Sequence, residues 1–153
     1  MNTLSSNGEG LIKHFESCKL QAYQDQHGVW TLGWGHTAGV AEGATCTQAQ
    51  ADQWFEEDSK ATISLVDESI TTNVNQNQFD AMVSFTYNEG IGRERSSTLL
   101  KLVNSRDFVG AAAEFPKWDI VTINGVPTKS AGLLRRRMAE QATFEGLAWQ
   151  NYS

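Results

Sequence analysis

Apolar positions in this chain change their period several times, and each change predicts an element. Leu11, Ile12 and Phe15 recur at helical spacing behind Ser6-x-x-Glu9, a capping-box pattern, so a short helix should end near Glu16–Cys18. From Leu20 the texture shifts to short alternating and aromatic runs, Leu20 to Tyr23 and Val29 to Trp34. The polar stretch Gln24-Asp25-Gln26-His27-Gly28 separates them, which predicts a hairpin. Gly33, Gly35, Gly39 and Gly43 then mark bends before a third short strand near Ala44–Thr45.

Helical periodicity takes over from Thr47. Thr47-x-x-Gln50 is a second capping pattern, and Ala51, Trp54, Phe55, Asp58, Ala61, Ile63, Leu65 and Val66 carry a helix toward Asp67, long enough to bridge two lobes. Asn75-x-x-Gln78 opens another helix through Phe79, Met82, Val83 and Phe85, which stops at Asn88-Glu89-Gly90. Ser97 to Val103 and Asp107 to Phe115 predict short helices, the second closed by Pro116. Asp119 to Lys129 reads as a loop or hairpin, and Ala131 to Leu147 as the last helix. The fold class is therefore α+β, a single domain over 1–153. A small β-hairpin lobe spans about 18–46, and a larger helical lobe takes about 47–153 plus the N-terminal helix, with a cleft between them.

Charge narrows the partners. The net charge is −6, which argues against nucleic-acid binding through a basic surface. Residues 1–78 carry three Lys/Arg against ten Asp/Glu, whereas residues 79–153 carry nine against eight. Any grip on an anionic polymer should thus come from the second half, above all from Arg135, Arg136 and Arg137. Consecutive residues of a helix point about 100° apart, so at least one of the three should turn inward and pair with Glu16 or Glu140. Cys18 and Cys46 have no metal-ligand or CxxC spacing, and two free thiols are expected. His14 and His27 lack metal-ligand companions, so neither a zinc site nor any other cofactor is expected. No apolar run is long enough to cross a bilayer, and Met1 to Gly10 is polar, so neither membrane insertion nor self-export is expected.

Candidate chemistry lies in the hairpin block. Glu16 ends an apolar helix beside Phe15, where partial shielding from water would raise a carboxyl's pKa toward that of a useful acid. Asp25 lies in a polar turn, where solvent and backbone donors would keep it ionised. Two carboxyls in divergent environments suit an acid and a base flanking a glycosidic bond. Thr31 adds a hydroxyl able to orient a water. A helix-end Glu and a turn Asp are also common solvated residues, and on the residues alone that alternative stands.

Eight residues separate Glu16 from Asp25 and five more separate Asp25 from Thr31, a spacing that resembles the Glu-Asp-Thr triad of phage-type lysozymes, glycoside hydrolase family 24. The resemblance continues in Leu11-Ile12-Lys13-His14-Phe15-Glu16, in Thr31-Leu32-Gly33-Trp34-Gly35-His36-Thr37 and in Gln78-Phe79-Asp80-Ala81-Met82-Val83-Ser84-Phe85. Later segments, Ser97-Thr98-Leu99-Leu100 and Gly132-Leu133-Leu134-Arg135-Arg136-Arg137-x-x-Glu140, also match. It departs at Ser17-Cys18, where many relatives have glycine, and at Trp34, where Tyr or Ile is frequent. The thiol so close to Glu16 reads either as a redox brake on the cleft or as a small buried side chain.

The resemblance implies a lysozyme-like fold and an endolysin that hydrolyses the β-1,4 bond between N-acetylmuramic acid and N-acetylglucosamine in peptidoglycan. Glu16 would be the general acid, Asp25 the general base or electrostatic stabiliser, and Thr31 the water-positioning hydroxyl. Thr31 favours an inverting, single-displacement route, which needs carboxyls about 6.5–9.5 Å apart. Asn88, Trp118, Ser97 and Leu99 become candidate sugar-binding positions, with Trp118 equally suited to the core, and His36 and Arg136 supporting residues. A monomer held in the host cytoplasm, reaching the wall through a separate holin-type pore, would follow. The competing class is a catalytically silent peptidoglycan-binding module of the same fold.

Overall fold

The computed structural model describes all residues, 1–153. Helix α1 (Ser6–Glu16) is capped by Ser5, not Ser6. The Ser5 hydroxyl accepts from Gly8 N at 3.1 Å and is itself anchored on the Asp80 carboxylate, so a tertiary contact selects the capping residue. Glu9 pairs instead with Lys13 one turn on, at 2.9 Å. The helix stops at Ser17, whose φ of 51° lies in the left-handed region. A glycine, frequent here in the family the sequence resembles, would adopt that turn without strain.

Strands β1 (Lys19–Gln24) and β2 (Trp30–Gly33) form the expected hairpin, with Tyr23 paired to Thr31 and Gln24 to Trp30. Gly28, at φ 76°, lets the turn close with Asp25 N donating to Val29 O. The third strand is reduced to a single bridge between Gln21 and Thr45.

Helix α2 (Gln48–Ser69), capped by Thr47, links the hairpin lobe to the helical lobe. Helix α3 (Gln76–Glu89) starts with a complete Asn75/Gln78 capping box. Every residue from Phe79 to Thr86 is buried, because α3 is the hub that the other helices surround. Helices α4 (Ile91–Arg95) and α7 (Ala131–Phe144) pack against it together with α1 and α2, while α5 (Thr98–Asn104) and α6 (Phe108–Glu114) pack chiefly on each other. The main core joins Ile12, Phe55, Phe79, Phe85, Leu99 and Phe115, among others, while Leu11, Ala139 and Trp149 form a satellite cluster.

The departures from the expected elements are local. Helix α6 ends at Glu114 and the chain tightens into a 3₁₀ turn, Phe115–Lys117, around Pro116. Residues 119–129 form a hairpin, β3 (Ile120–Ile123) with β4 (Val126–Lys129), around Asn124-Gly125. Helix α7 stops at Phe144 because Gly146, at φ 79°, turns the chain into a terminal 3₁₀ segment, Trp149–Tyr152. Helix α4 is too short to show a period in the sequence. No helix is long and apolar enough to cross a membrane, and Cys18 and Cys46 are unbridged.

Candidate active site

A cleft of about 780 Å³ runs between the hairpin and the helical lobe, lined by Glu16, Tyr23, Asp25, Thr31, Asn88 and Arg136, among others. Glu16 reaches it because α1 ends there. Its side chain is only 13% exposed, yet a guanidinium lies against its carboxylate rather than the apolar wall expected from Phe15: Arg136 Nη1 donates to Oε2 at 2.6 Å. Oε1 takes no protein hydrogen bond and faces Gly35, where an added Cβ would stand 2.7 Å away. Gly35 therefore has two reasons to lack a side chain, its φ of 91° and this close approach.

Arg136 belongs to a buried ionic cluster. Its Nε donates to Glu140 Oε2 at 3.2 Å, and Nη2 to the Ser84 carbonyl at 3.2 Å. The Ser84 hydroxyl donates to Glu140 at 2.6 Å. Burial works against the charge on Arg136, but the carboxylates of Glu16 and Glu140 more than offset it and hold its pKa above the usual value. Arg137, on the next step of α7, donates to Glu140, to Asn88 Oδ1 and, at 2.9 Å, to Glu89. Its guanidinium also lies 5.0 Å from the Phe85 ring centre. Only Arg135 of the three is exposed, at the cleft margin.

Asp25 is fixed differently. Its Oδ1 accepts from His27 N at 2.8 Å and Val29 N at 2.9 Å, both within its own turn, and Oδ2 takes no protein hydrogen bond. Thr31, buried on the facing strand, donates its hydroxyl proton to Val29 O at 2.8 Å. The oxygen of Thr31 can then only accept from whatever occupies the cleft.

Two tyrosines that sequence reasoning passed over complete the wall. Burial, then Glu16 and Asp25, push the Tyr23 phenol up to about 12, so it stays a neutral hydroxyl beside both carboxyls. Burial and Glu16 also push Tyr87 up, and its hydroxyl donates to Trp34 O at 2.7 Å. Tyr23 was legible: it lies two residues before Asp25, on the same strand face, and stands directly opposite Thr31 in the hairpin.

The other candidates separate. Asn88 lines the cleft, its carbonyl held by Arg137 and its amide nitrogen left to donate. Trp118 packs edge-on against Phe85 at 5.1 Å and also borders a second cavity of about 460 Å³. Ser97 and Leu99 do not reach the cleft: Ser97 caps α5 through Leu100 N, and Leu99 is fully buried in the main core. His36 is buried behind the hairpin, 2.7 Å from Asp58 and stacked on Trp54 at 4.3 Å, where it ties the Gly33–Gly35 bend to α2.

A family model described as phage lysozyme matches residues 13–140. The chain is 43% identical over 142 residues to an endolysin of Acyrthosiphon pisum secondary endosymbiont phage 1, covering 93% of this chain and 97% of that one. Among solved structures it is similar to an endolysin from Escherichia coli O157:H7 phage FAHEc1, with TM-score 0.84, 35% identity, and 95% and 96% of the two chains covered. It is also similar to the muramidase domain of SpmX from Asticaccaulis excentricus, with TM-score 0.83, 37% identity, and 94% and 98% covered. With the family model matched over most of its length, the chain belongs to the phage lysozyme family and has an endolysin's function, that of a muramidase-type hydrolase.

Proposed function

We propose that the chain cleaves the β-1,4 bond between N-acetylmuramic acid and N-acetylglucosamine in bacterial peptidoglycan by a single, inverting displacement. The observation that carries this reading is the hydrogen-bond state of Thr31. Its proton is committed to Val29 O, so Thr31 offers only a lone pair, as does the free Oδ2 of Asp25. One water can donate its two hydrogens to these two acceptors and turn a lone pair toward the anomeric carbon. Glu16 gives its proton to the leaving glycosidic oxygen as that bond breaks, and Asp25 takes the proton of the attacking water. Oε1 of Glu16, unbonded beside Gly35, is the atom left to carry the acid proton.

The glycan is gripped mainly from the helical lobe. The Asn88 amide donates to a sugar acetamide or hydroxyl, exposed Arg135 meets the anionic polymer at the cleft margin, and Trp118 extends the wall into the second cavity. In this reading the enzyme acts as a monomer. It stays in the host cytoplasm until a separate holin-type pore opens the membrane, and then lyses the cell from the wall side.

Digestion of purified peptidoglycan tests the reaction. New reducing ends should be N-acetylmuramic acid, appear first as the α-anomer, and be absent with Glu16→Gln. Initial β-anomer would overturn inversion, and N-acetylglucosamine ends would overturn the bond assignment. Sedimentation with peptidoglycan without any new reducing end would establish a silent binding module.

A further inference from the structure

An unbroken run of ion pairs and hydrogen bonds joins Glu16 to Asp25 around the cleft rather than across it. From Glu16 it passes to Arg136 and Glu140, then to Arg137, whose Nη2 reaches Glu89 Oε1 at 2.9 Å. The other oxygen of Glu89 takes a bond from Arg93 of α4 at 3.1 Å. Arg93 Nη1 continues to His27 Nε2 at 2.9 Å, and His27 N closes the path on Asp25 Oδ1. Only the Arg93–His27 step crosses from the helical lobe to the hairpin turn, and the turn makes no other side-chain hydrogen bond to that lobe.

We propose that Arg93 and His27 are positioning residues that fasten the turn carrying Asp25 to the lobe holding Arg136, and so fix where Asp25 stands relative to Glu16. This rests on the acid and base roles given above. A two-stranded hairpin is marginal by itself and its tip is free to sway, so a tether at the tip has most leverage over the carboxylate beside it.

The tether works only with a neutral imidazole. A guanidinium has donors and no acceptor, so His27 Nε2 must accept. Protonation removes the acceptor and sets two cations side by side. The charged groups around His27 are Asp25 on its own turn, Glu89 of α3, Arg93 of α4, Glu114 of α6 and Lys117 of the following 3₁₀ turn. Glu89 is already shared by Arg93 and Arg137, and Glu114 is paired with Lys117 at 2.9 Å, so neither carboxylate of the helical lobe is free to take over an imidazolium. Asp25, whose Oδ2 is free, belongs to the turn itself and cannot tie it to that lobe. Protonation of His27 would therefore release the turn from the helical lobe.

Steady-state hydrolysis of solubilised peptidoglycan by full-length variants tests this, with thermal melting alongside. Both side chains are exposed, so the variants should fold. Arg93→Gln and His27→Ala should each lower kcat about tenfold with KM nearly unchanged, and the double variant should be no worse than either single one. His27→Gln keeps an acceptor that does not titrate. It should restore most of the lost rate, and the wild-type rate divided by its rate should fall as pH drops from 8 to about 5. Strictly additive losses, a loss expressed only in KM or melting temperature, or a pH-independent ratio would overturn the proposal. Glu16→Gln separates the two levels. If it is inactive while Arg93→Gln matches wild type, only the tether fails; if it is active, the acid role falls and the tether with it.

Discussion

Glu16 and Asp25 line one cleft but are held in opposite ways. Asp25 is oriented by two backbone N–H groups inside its own turn, within four residues. Glu16 is oriented by Arg136, 120 residues away, through a cluster that also consumes Glu140, Ser84 and Arg137. A carboxylate held by its own turn can be altered without disturbing the fold. One held by a buried guanidinium is part of the fold, because removing that guanidinium strands the carboxylate's charge in a dry place. The proposed acid and base are thus held by one global device and one local device.

Breaking the local device should give the largest effect, and only on rate. Asp25→Ala should lower hydrolysis about 10³-fold while changing stability by less than about 1 kcal/mol in chemical denaturation. A marked loss of stability would mean that the turn depends on this side chain and that the contrast is false. Breaking the global device should do the reverse in part: Arg136→Met should cost about 3–5 kcal/mol of stability because Glu16 and Glu140 lose a shared partner. An unchanged melting temperature would show the cluster to be dispensable.

Smaller changes sharpen the comparison. Gly35→Ala must place a methyl group on Glu16 Oε1 and strain a left-handed φ, at a cost of about 1–3 kcal/mol. Its rate should fall further than its stability explains. Glu94, fully buried, has neither device. Ser69 donates to Oε1 at 3.0 Å while Oε2 has no partner, and burial raises its pKa despite that bond. An acid whose folded pKa is raised makes the protein less stable as pH climbs from the unfolded value through the folded one. Glu94→Gln should therefore add about 1 kcal/mol near pH 7, a gain that shrinks as pH falls from the raised folded value toward the ordinary carboxyl value of 4.5 and is lost below it. An equal gain at pH 7 and pH 4 would remove ionisation as its cause.

The same division explains what could be read from the sequence. Local devices were legible: the Asn75/Gln78 box, the polar turn between β1 and β2, and the carboxylate within that turn all depend on neighbours a few residues apart. Even there, Asp80 from α3 moved the first helix cap by one residue. Long-range devices were not. The helical spacing of Arg135, Arg136 and Arg137 required an inward arginine but left its partner open between Glu16 and Glu140, and Arg136 bonds both. Nothing in the pattern near Ser97 and Leu99 distinguishes a helix cap and a core leucine from a binding wall. The Arg93–His27 step joins two exposed residues 66 positions apart, with no periodic signal in either.

The most direct test of the central claim, that a Glu16 held by Arg136 supplies the acid, is the clearing rate of outer-membrane-permeabilised Gram-negative cells by Glu16→Gln beside wild type. Glutamine keeps the shape and a hydrogen-bond acceptor for Arg136 but has no acid proton to give. The variant should fold, sediment with peptidoglycan like wild type, and leave turbidity essentially constant. Clearing at the wild-type rate would contradict the assignment.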